Sequence, residues 1–265
     1  MAIITKITAQ KRKGRYNIFL DNQYAFAVGE NILIRYGLFK GQEVDAQLQK
    51  QLQQAEQQDK AYNLALNYLS RQLRTVYEVM TYLHQHDVTH DVACAVVKRL
   101  CEQHYLNDQN YADSFVRTMY HTSDKGPYII QRKLKQKHVA DAVIAQALLQ
   151  FDESRQLLNA TTSVNKLAQH YRHDAFKTQQ RKIYQALINK GYSSDIVKQA
   201  IAQADLQVDA EQQQQLLIQT GTKLLRRYQA LDPKTRHQKI LRALYQKGFS
   251  FDDAQAFLAT YDHEN

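Results

Sequence analysis

Ile183-Tyr184-Gln185-Ala186-Leu187-Ile188-Asn189-Lys190-Gly191-Tyr192 and Ile240-Leu241-Arg242-Ala243-Leu244-Tyr245-Gln246-Lys247-Gly248-Phe249 share one pattern: a β-branched residue, a leucine four later, a glycine four beyond it, and a bulky residue to close. The same frame runs from Val79 through Leu83 to Val88 and from Ile130 through Leu134 to Val139, with Asp87 and His138 in place of the glycine. A spacing of four puts two apolar side chains on one helical face. A glycine just past such a stripe is the residue of a left-handed helix cap, and Asp87 and His138 meet that conformation at greater cost. Thirteen and fourteen residues after each leucine come Val96/Val97, Ala147/Leu148, Ala200/Ile201 and Phe257/Leu258, so a second helix follows the turn. The leucines recur at steps of 51, 53 and 57 residues. A period near 50 predicts an array of small helical modules, each too small to bury its own apolar face. Such arrays serve as binding surfaces rather than catalytic pockets.

Working outward, later modules share an opening pattern as well. Lys166-Leu167-Ala168-Gln169-His170-Tyr171 aligns with Lys223-Leu224-Leu225-Arg226-Arg227-Tyr228, each tyrosine 16 residues before its leucine. Each module is therefore read as three helices: an opening helix, the leucine helix and the helix after the turn. This gives modules at 61–105, 106–151, 152–205 and 206–265. Residues 46–60, rich in Gln with Leu48, Leu52 and Ala55 on one stripe, are a connecting helix. Residues 1–45 read differently. Arg15–Leu20 and Gln23–Val28 flank Asp21-Asn22 as a hairpin, and Ile3–Thr8 adds a third strand. Asn31–Tyr36, ending at Gly37, is a small helix that caps this meander, which on its own is marginal in water. The fold class is mainly α: a tandem array of three-helix modules preceded by a small N-terminal β-meander. Asp108 is predicted to cap the helix it begins, and Gly126-Pro127 to open the next with proline at its first position.

Composition narrows the function. The 265 residues carry 35 Lys plus Arg against 26 Asp plus Glu, a net charge of +9, which favours anionic partners. Residues 1–40 hold a net +5 of this, and residues 206–265 only +1. No apolar run is long enough to cross a membrane, and the N-terminus lacks the pattern of a secretory signal. Cys94 and Cys101, seven apart on one helix, are too distant for a disulfide, which fits a cytoplasmic protein. His86 and His90 have the spacing of a zinc pair, with Cys94 on the same stripe, but the glutamate of an HExxH motif is absent and a turn separates the histidines. No Walker A loop, GxGxxG, GxSxG or paired CxxC occurs. The expectation is a non-enzyme without metal, cofactor or small-molecule substrate.

Tyr68-Leu69-Ser70-Arg71-Gln72-Leu73-Arg74-Thr75 with Glu78 and Leu83, then Tyr105-Leu106-Asn107-Asp108 with Tyr111-Ala112 and Phe115-Val116, then Lys125-Gly126-Pro127 with Ile130 and Leu134, resemble in combination and order the motifs of the RecX family of recombinase regulators. The resemblance covers about residues 60–260, and the basic meander looks like the N-terminal extension of many Gram-positive members. The smaller members have three modules, against four here. The resemblance implies a protein that binds the RecA nucleoprotein filament, with single- or double-stranded DNA within reach, and inhibits the recombinase in recombination, DNA repair and the SOS response.

The candidate contact residues are basic. Lys11, Arg12, Lys13 and Arg15 form a hairpin tip of the kind that reaches phosphates. Arg71 and Arg74 share a helical face and either meet an acidic or phosphate surface or pair internally with Glu78. Arg132 and Lys133, beside Lys135 and Lys137, are a contact or a solvated face. Arg226 and Arg227 repeat the arrangement in the fourth module. Two other functions remain open on the residues alone: a general DNA-binding helical array, since each unit has a helix–turn–helix outline, and a protein scaffold without nucleic acid. Against the DNA array, no consistent set of Arg, Asn or Gln starts the helix after each turn.

Overall fold

The computed structural model describes residues 2–11 and 13–264. Two compact units divide the chain, Met1–Ala112 with Gln136–Val143 and Asp113–Lys135 with Ile144–Asn265.

The first unit begins with a sheet of β1 (Ala2–Ala9), β2 (Arg15–Leu20), β3 (Gln23–Gly29) and β4 (Glu43–Val44), in the order β3-β2-β1-β4. Asp21 and Asn22 both take positive φ, 48° and 65°, as a two-residue turn matched to strand twist requires. The expected three-stranded meander has a fourth strand. Two residues after the left-handed Gly41, β4 pairs Val44 with Ala2 and Glu43 with Ile3, covering an edge that β1 would otherwise leave open. Two residues are too few to show a period. The short helix α1 (Glu30–Arg35) lies between β3 and β4 and starts one residue earlier than expected.

A second difference lies in the connecting helix. Residues 46–60 and the opening helix of the first module are one element, α2 (Ala46–Leu69), capped by the Asp45 carboxylate on the Leu48 amide. Its first half buries Leu52 and Ala55 against Ile4, Ile18 and Val28 of the sheet. Its second half buries Ala61, Tyr62 and Ala65 with Val79 and Leu83 of α3 (Val76–His84) and with Val96 and Leu100 of α4 (His90–Glu102). One helix serves two cores. Among the described residues the remaining helices are α5 (Asp108–Thr122), α6 (Pro127–Gln136), α7 (Asp141–Leu148), α8 (Glu153–His170), α9 (Phe176–Asn189), α10 (Ser194–Gln203), α11 (Ala210–Arg227), α12 (Pro233–Lys247) and α13 (Phe251–Glu264).

Leu83, Leu134, Leu187 and Leu244 are each fully buried, as are Val79, Ile130, Ile183 and Ile240. The turn after each leucine explains the five-residue spacing. In α3, α9 and α12 the leucine carbonyl accepts the N–H of the residue five later: Val88, Tyr192 and Phe249, at 3.1, 3.3 and 3.3 Å. The residue between, four after the leucine, has positive φ: Asp87 59°, His138 57°, Gly191 90°, Gly248 99°. This is the Schellman cap, in which the closing apolar residue folds back on the one that begins the turn.

The same turns join consecutive modules. A cap leaves the carbonyl just before the left-handed residue without an intrahelical partner. The Lys137 carbonyl accepts the Thr75 hydroxyl at 3.1 Å, the Lys190 carbonyl accepts the Gly126 amide at 2.8 Å, and the Lys247 carbonyl accepts the Thr178 hydroxyl at 2.7 Å. In every case the donor stands in or beside the first turn of the preceding leucine helix. At Gly191 the approach is so close that a Cβ would lie 2.7 Å from the Ile129 nitrogen.

The expected cap on α5 differs. Asn107, not Asp108, accepts the Gln109 and Asn110 amides, at 2.8 and 3.1 Å. Asp108 instead turns to α3 and accepts the Val76 amide at 2.8 Å. Either residue type can cap; the nearby open end of α3 decides which one does.

Candidate functional site

The hairpin-tip cations part company. Lys11 and Lys13 are exposed between β1 and β2, and Arg12 lies outside the described residues. Arg15, the first residue of β2, is committed inward. Its Nη2 lies 2.6 Å from Oε1 of Glu56, a carboxylate buried on α2 whose Oε2 accepts the Gly29 amide at 2.8 Å. A buried carboxylate needs such partners, so Arg15 locks the sheet to α2. Beside it, Lys13, Gly14, Lys60, Asn63 and Asn67 line a cavity of about 500 Å3, shared with Glu30 and Asp59.

Arg71 and Arg74 do not share a helical face as expected: α2 ends at Leu69 and α3 starts at Val76, so both lie in the link between them, and the two also differ. Arg71 is solvent-facing. Arg74 lies over the Tyr68 ring at 4.3 Å and 3.7 Å from Glu78 Oε1, so the internal pairing holds for it. Glu78 is the hub. It closes a capping box with Thr75, and its Oε1 takes the Lys137 ammonium at 2.5 Å. Burial alone would raise its pKa, but Lys137, the Thr75 amide and Arg74 outweigh that and hold the carboxyl below its usual range. Lys137 is held correspondingly high by the same carboxylate. For Asp108 burial wins and, with the nearby Glu78 charge, raises the pKa despite the Val76 amide.

In the second unit Arg132 and Lys133 are exposed on α6, and Arg226 and Arg227 are exposed in the last turn of α11. Cations at that end of a helix are favoured by its dipole, and Arg227 also lies 5.5 Å from the Tyr228 ring centre. Exposed cations of this kind attract phosphates and acidic side chains with little desolvation cost. His90 Nε2 sits 3.5 Å from the exposed Cys94 thiol. Among the described residues no group of three or more His, Cys, Asp or Glu side chains is placed to hold a metal. No helix among them is long and apolar enough to cross a membrane.

An aromatic layer went unread in the sequence. Tyr68 and Tyr82 lie parallel at 3.9 Å, Tyr82 meets His86 at 4.2 Å, and Tyr77 stacks on His138 at 3.7 Å. Tyr77 and Tyr82 are five apart on α3, a spacing that signals nothing until Tyr68 and His138 are placed beside them.

Comparison with known proteins converges on one family. Residues 2–45 match the regulatory protein RecX N-terminal domain, 61–100 the first three-helix domain of RecX, and 107–148 the second. The third three-helix domain matches twice, at 157–201 and 211–258. The chain is 44% identical to "Regulatory protein RecX" of Levilactobacillus brevis over 259 residues, 98% of this chain and 97% of that one. It is 39% identical to the protein of the same name from Limosilactobacillus reuteri over 264 residues, the whole of both chains. Among solved structures it is similar to a crystal structure of regulatory protein RecX, with a TM-score of 0.70, 40% identity, and coverage of 76% of this chain and all of that one. A RecX crystal structure from Lactobacillus salivarius gives a TM-score of 0.56 at 41% identity, over 58% of this chain and 99% of the other. A basic helical array behind a small sheet, matched from end to end by these regulators, belongs to the RecX family of regulatory proteins.

Proposed function

We propose that the protein binds the RecA nucleoprotein filament in the cytoplasm and restrains its recombinase activity in recombination, DNA repair and the SOS response, acting without catalysis. The observation that carries this reading is the end-to-end match to regulatory RecX proteins. A net charge of +9 suits a partner rich in phosphate and carboxylate. The sheet and the four modules at 61–105, 106–151, 152–205 and 206–265 act as linked binding units, whose weak contacts add through effective concentration. Lys11, Lys13, Arg71, Arg132, Lys133, Arg226 and Arg227 are the exposed cations that meet the filament, whereas Arg15 and Arg74 support them from within.

Strand exchange by RecA, titrated with wild-type protein and with a variant carrying Arg132→Glu and Lys133→Glu, tests this. The wild type should inhibit. The variant should need about tenfold more protein, with a shallower dependence on salt and an unchanged melting temperature. Equal potency would reduce these two residues to solvated surface. If the wild type shows no effect on RecA but binds naked duplex steeply with salt, the general DNA-binding reading replaces this one.

A further inference from the structure

Tyr77, Glu78, Thr81 and Tyr82 of α3, Gln85 just past its end and Tyr68 of α2 line a shallow cavity of about 160 Å3. Sites for drug-sized molecules measure about 300–1,000 Å3. This one has room for a single flat ring. Its walls are set in advance: Tyr82 is held against Tyr68, and Tyr77, 45% exposed, is held against His138. Rings already fixed by packing lose little freedom when a ligand stacks on them.

Three ligands suit aromatic walls beside a carboxylate: a cation, an apolar side chain, or a nucleobase. A cation is disfavoured, because Glu78 is already matched by Lys137 and Arg74 and the exposed Arg71 lies just upstream in the same link. An apolar side chain would cover the polar groups of Thr81 and Gln85 without giving them partners. A base presents a ring face to Tyr77, a hydrogen-bonding edge to Thr81 and Gln85, and an anionic backbone to Arg71. Tyr68 is covered by Tyr82 and Arg74, and Tyr82 by Tyr68 and His86, which leaves the face of Tyr77 turned away from His138. We propose that this slot receives one unpaired base of a single nucleic-acid strand, stacked on that face of Tyr77, with Arg71 taking its phosphate. The inference rests on the filament-binding reading and specifies what the first module grips there. Bases inside a duplex are stacked on one another and do not enter.

The test uses the full chain and two fluorescently labelled single strands of equal length, one with bases and one abasic, with affinity read by anisotropy. Wild-type protein should prefer the base-bearing strand by about tenfold. Tyr77→Ser should abolish that preference, and Tyr77→Phe should keep it. Arg71→Glu should weaken binding to both strands alike. Equal wild-type affinity for the two strands, or a preference that survives in Tyr77→Ser, overturns the proposal. So does a Tyr77→Ser loss seen on DNA-free RecA instead, which would assign the slot to a protein side chain. Binding to RecA filaments is measured separately. A protein that prefers bases yet ignores filaments removes the functional reading and leaves the slot, and the reverse pattern removes the slot alone.

Discussion

Glu78 shows how one side chain can be half legible. Thr75 and Glu78 have the spacing of a capping box, and the pairing with Arg74, four residues before, is local in sequence. Lys137, 59 residues away, follows from nothing local, yet it makes the shortest contact to that carboxylate. The same blindness reversed Asn107 and Asp108, because the amide that claims Asp108 belongs to another helix. It also left Arg15 and Arg71 looking equivalent, although a buried Glu56 claims only the first. The Glu78 interactions carry a pH signature. The folded carboxyl titrates below the ordinary value of 4.5, so its stabilisation is fully present above that pH and is lost as pH falls through the folded pKa. Glu78→Gln should lower unfolding free energy by about 1–2 kcal/mol at pH 7, the half-exposed Lys137 arm being partly screened. It should lower it much less at pH 3, as read from urea midpoints. An equal loss at both values would mean the charge contributes nothing.

At the scale of elements, what the sequence shows best is what is repeated. The leucine, the residue five later and the paired positions beyond are all side-chain signals, and the Schellman turn supplies their geometry. The carbonyls of Lys137, Lys190 and Lys247 that latch modules together are backbone groups, present in every residue and therefore silent in a sequence. The continuity of α2 was hidden by its change of composition near residue 60, and β4 by its brevity. Equivalent turn positions should respond in opposite ways to opposite changes. Gly191→Ala combines a left-handed backbone with a Cβ pressed on Ile129 and should cost about 2–5 kcal/mol. Asp87→Gly relaxes the same conformation at an exposed turn and should stabilise by about 1 kcal/mol. Thermal denaturation of both variants decides the point. Like-signed shifts would show that the left-handed geometry is not what limits these turns.

For the whole molecule, the array reading implies that each module depends on its neighbour. Ala175 and Thr178 are 4% and 9% exposed, and the hydroxyl of Thr178 is spent on the last module's turn. A chain ending at residue 205 should therefore unfold at a lower urea concentration than the full protein. Thr178→Val in the intact chain should reproduce about 1–3 kcal/mol of the difference, since it leaves the Lys247 carbonyl unmatched. A truncated chain as resistant as the full one would mean that the modules stand alone. The latches also have a direction. Thr75 precedes Lys137, Gly126 precedes Lys190, and Thr178 precedes Lys247, so the donor is always made first. On a ribosome, where the N-terminal part folds earliest, each emerging module meets a finished docking edge. The nascent chain then carries one unsealed edge, which moves toward the C-terminus as translation proceeds.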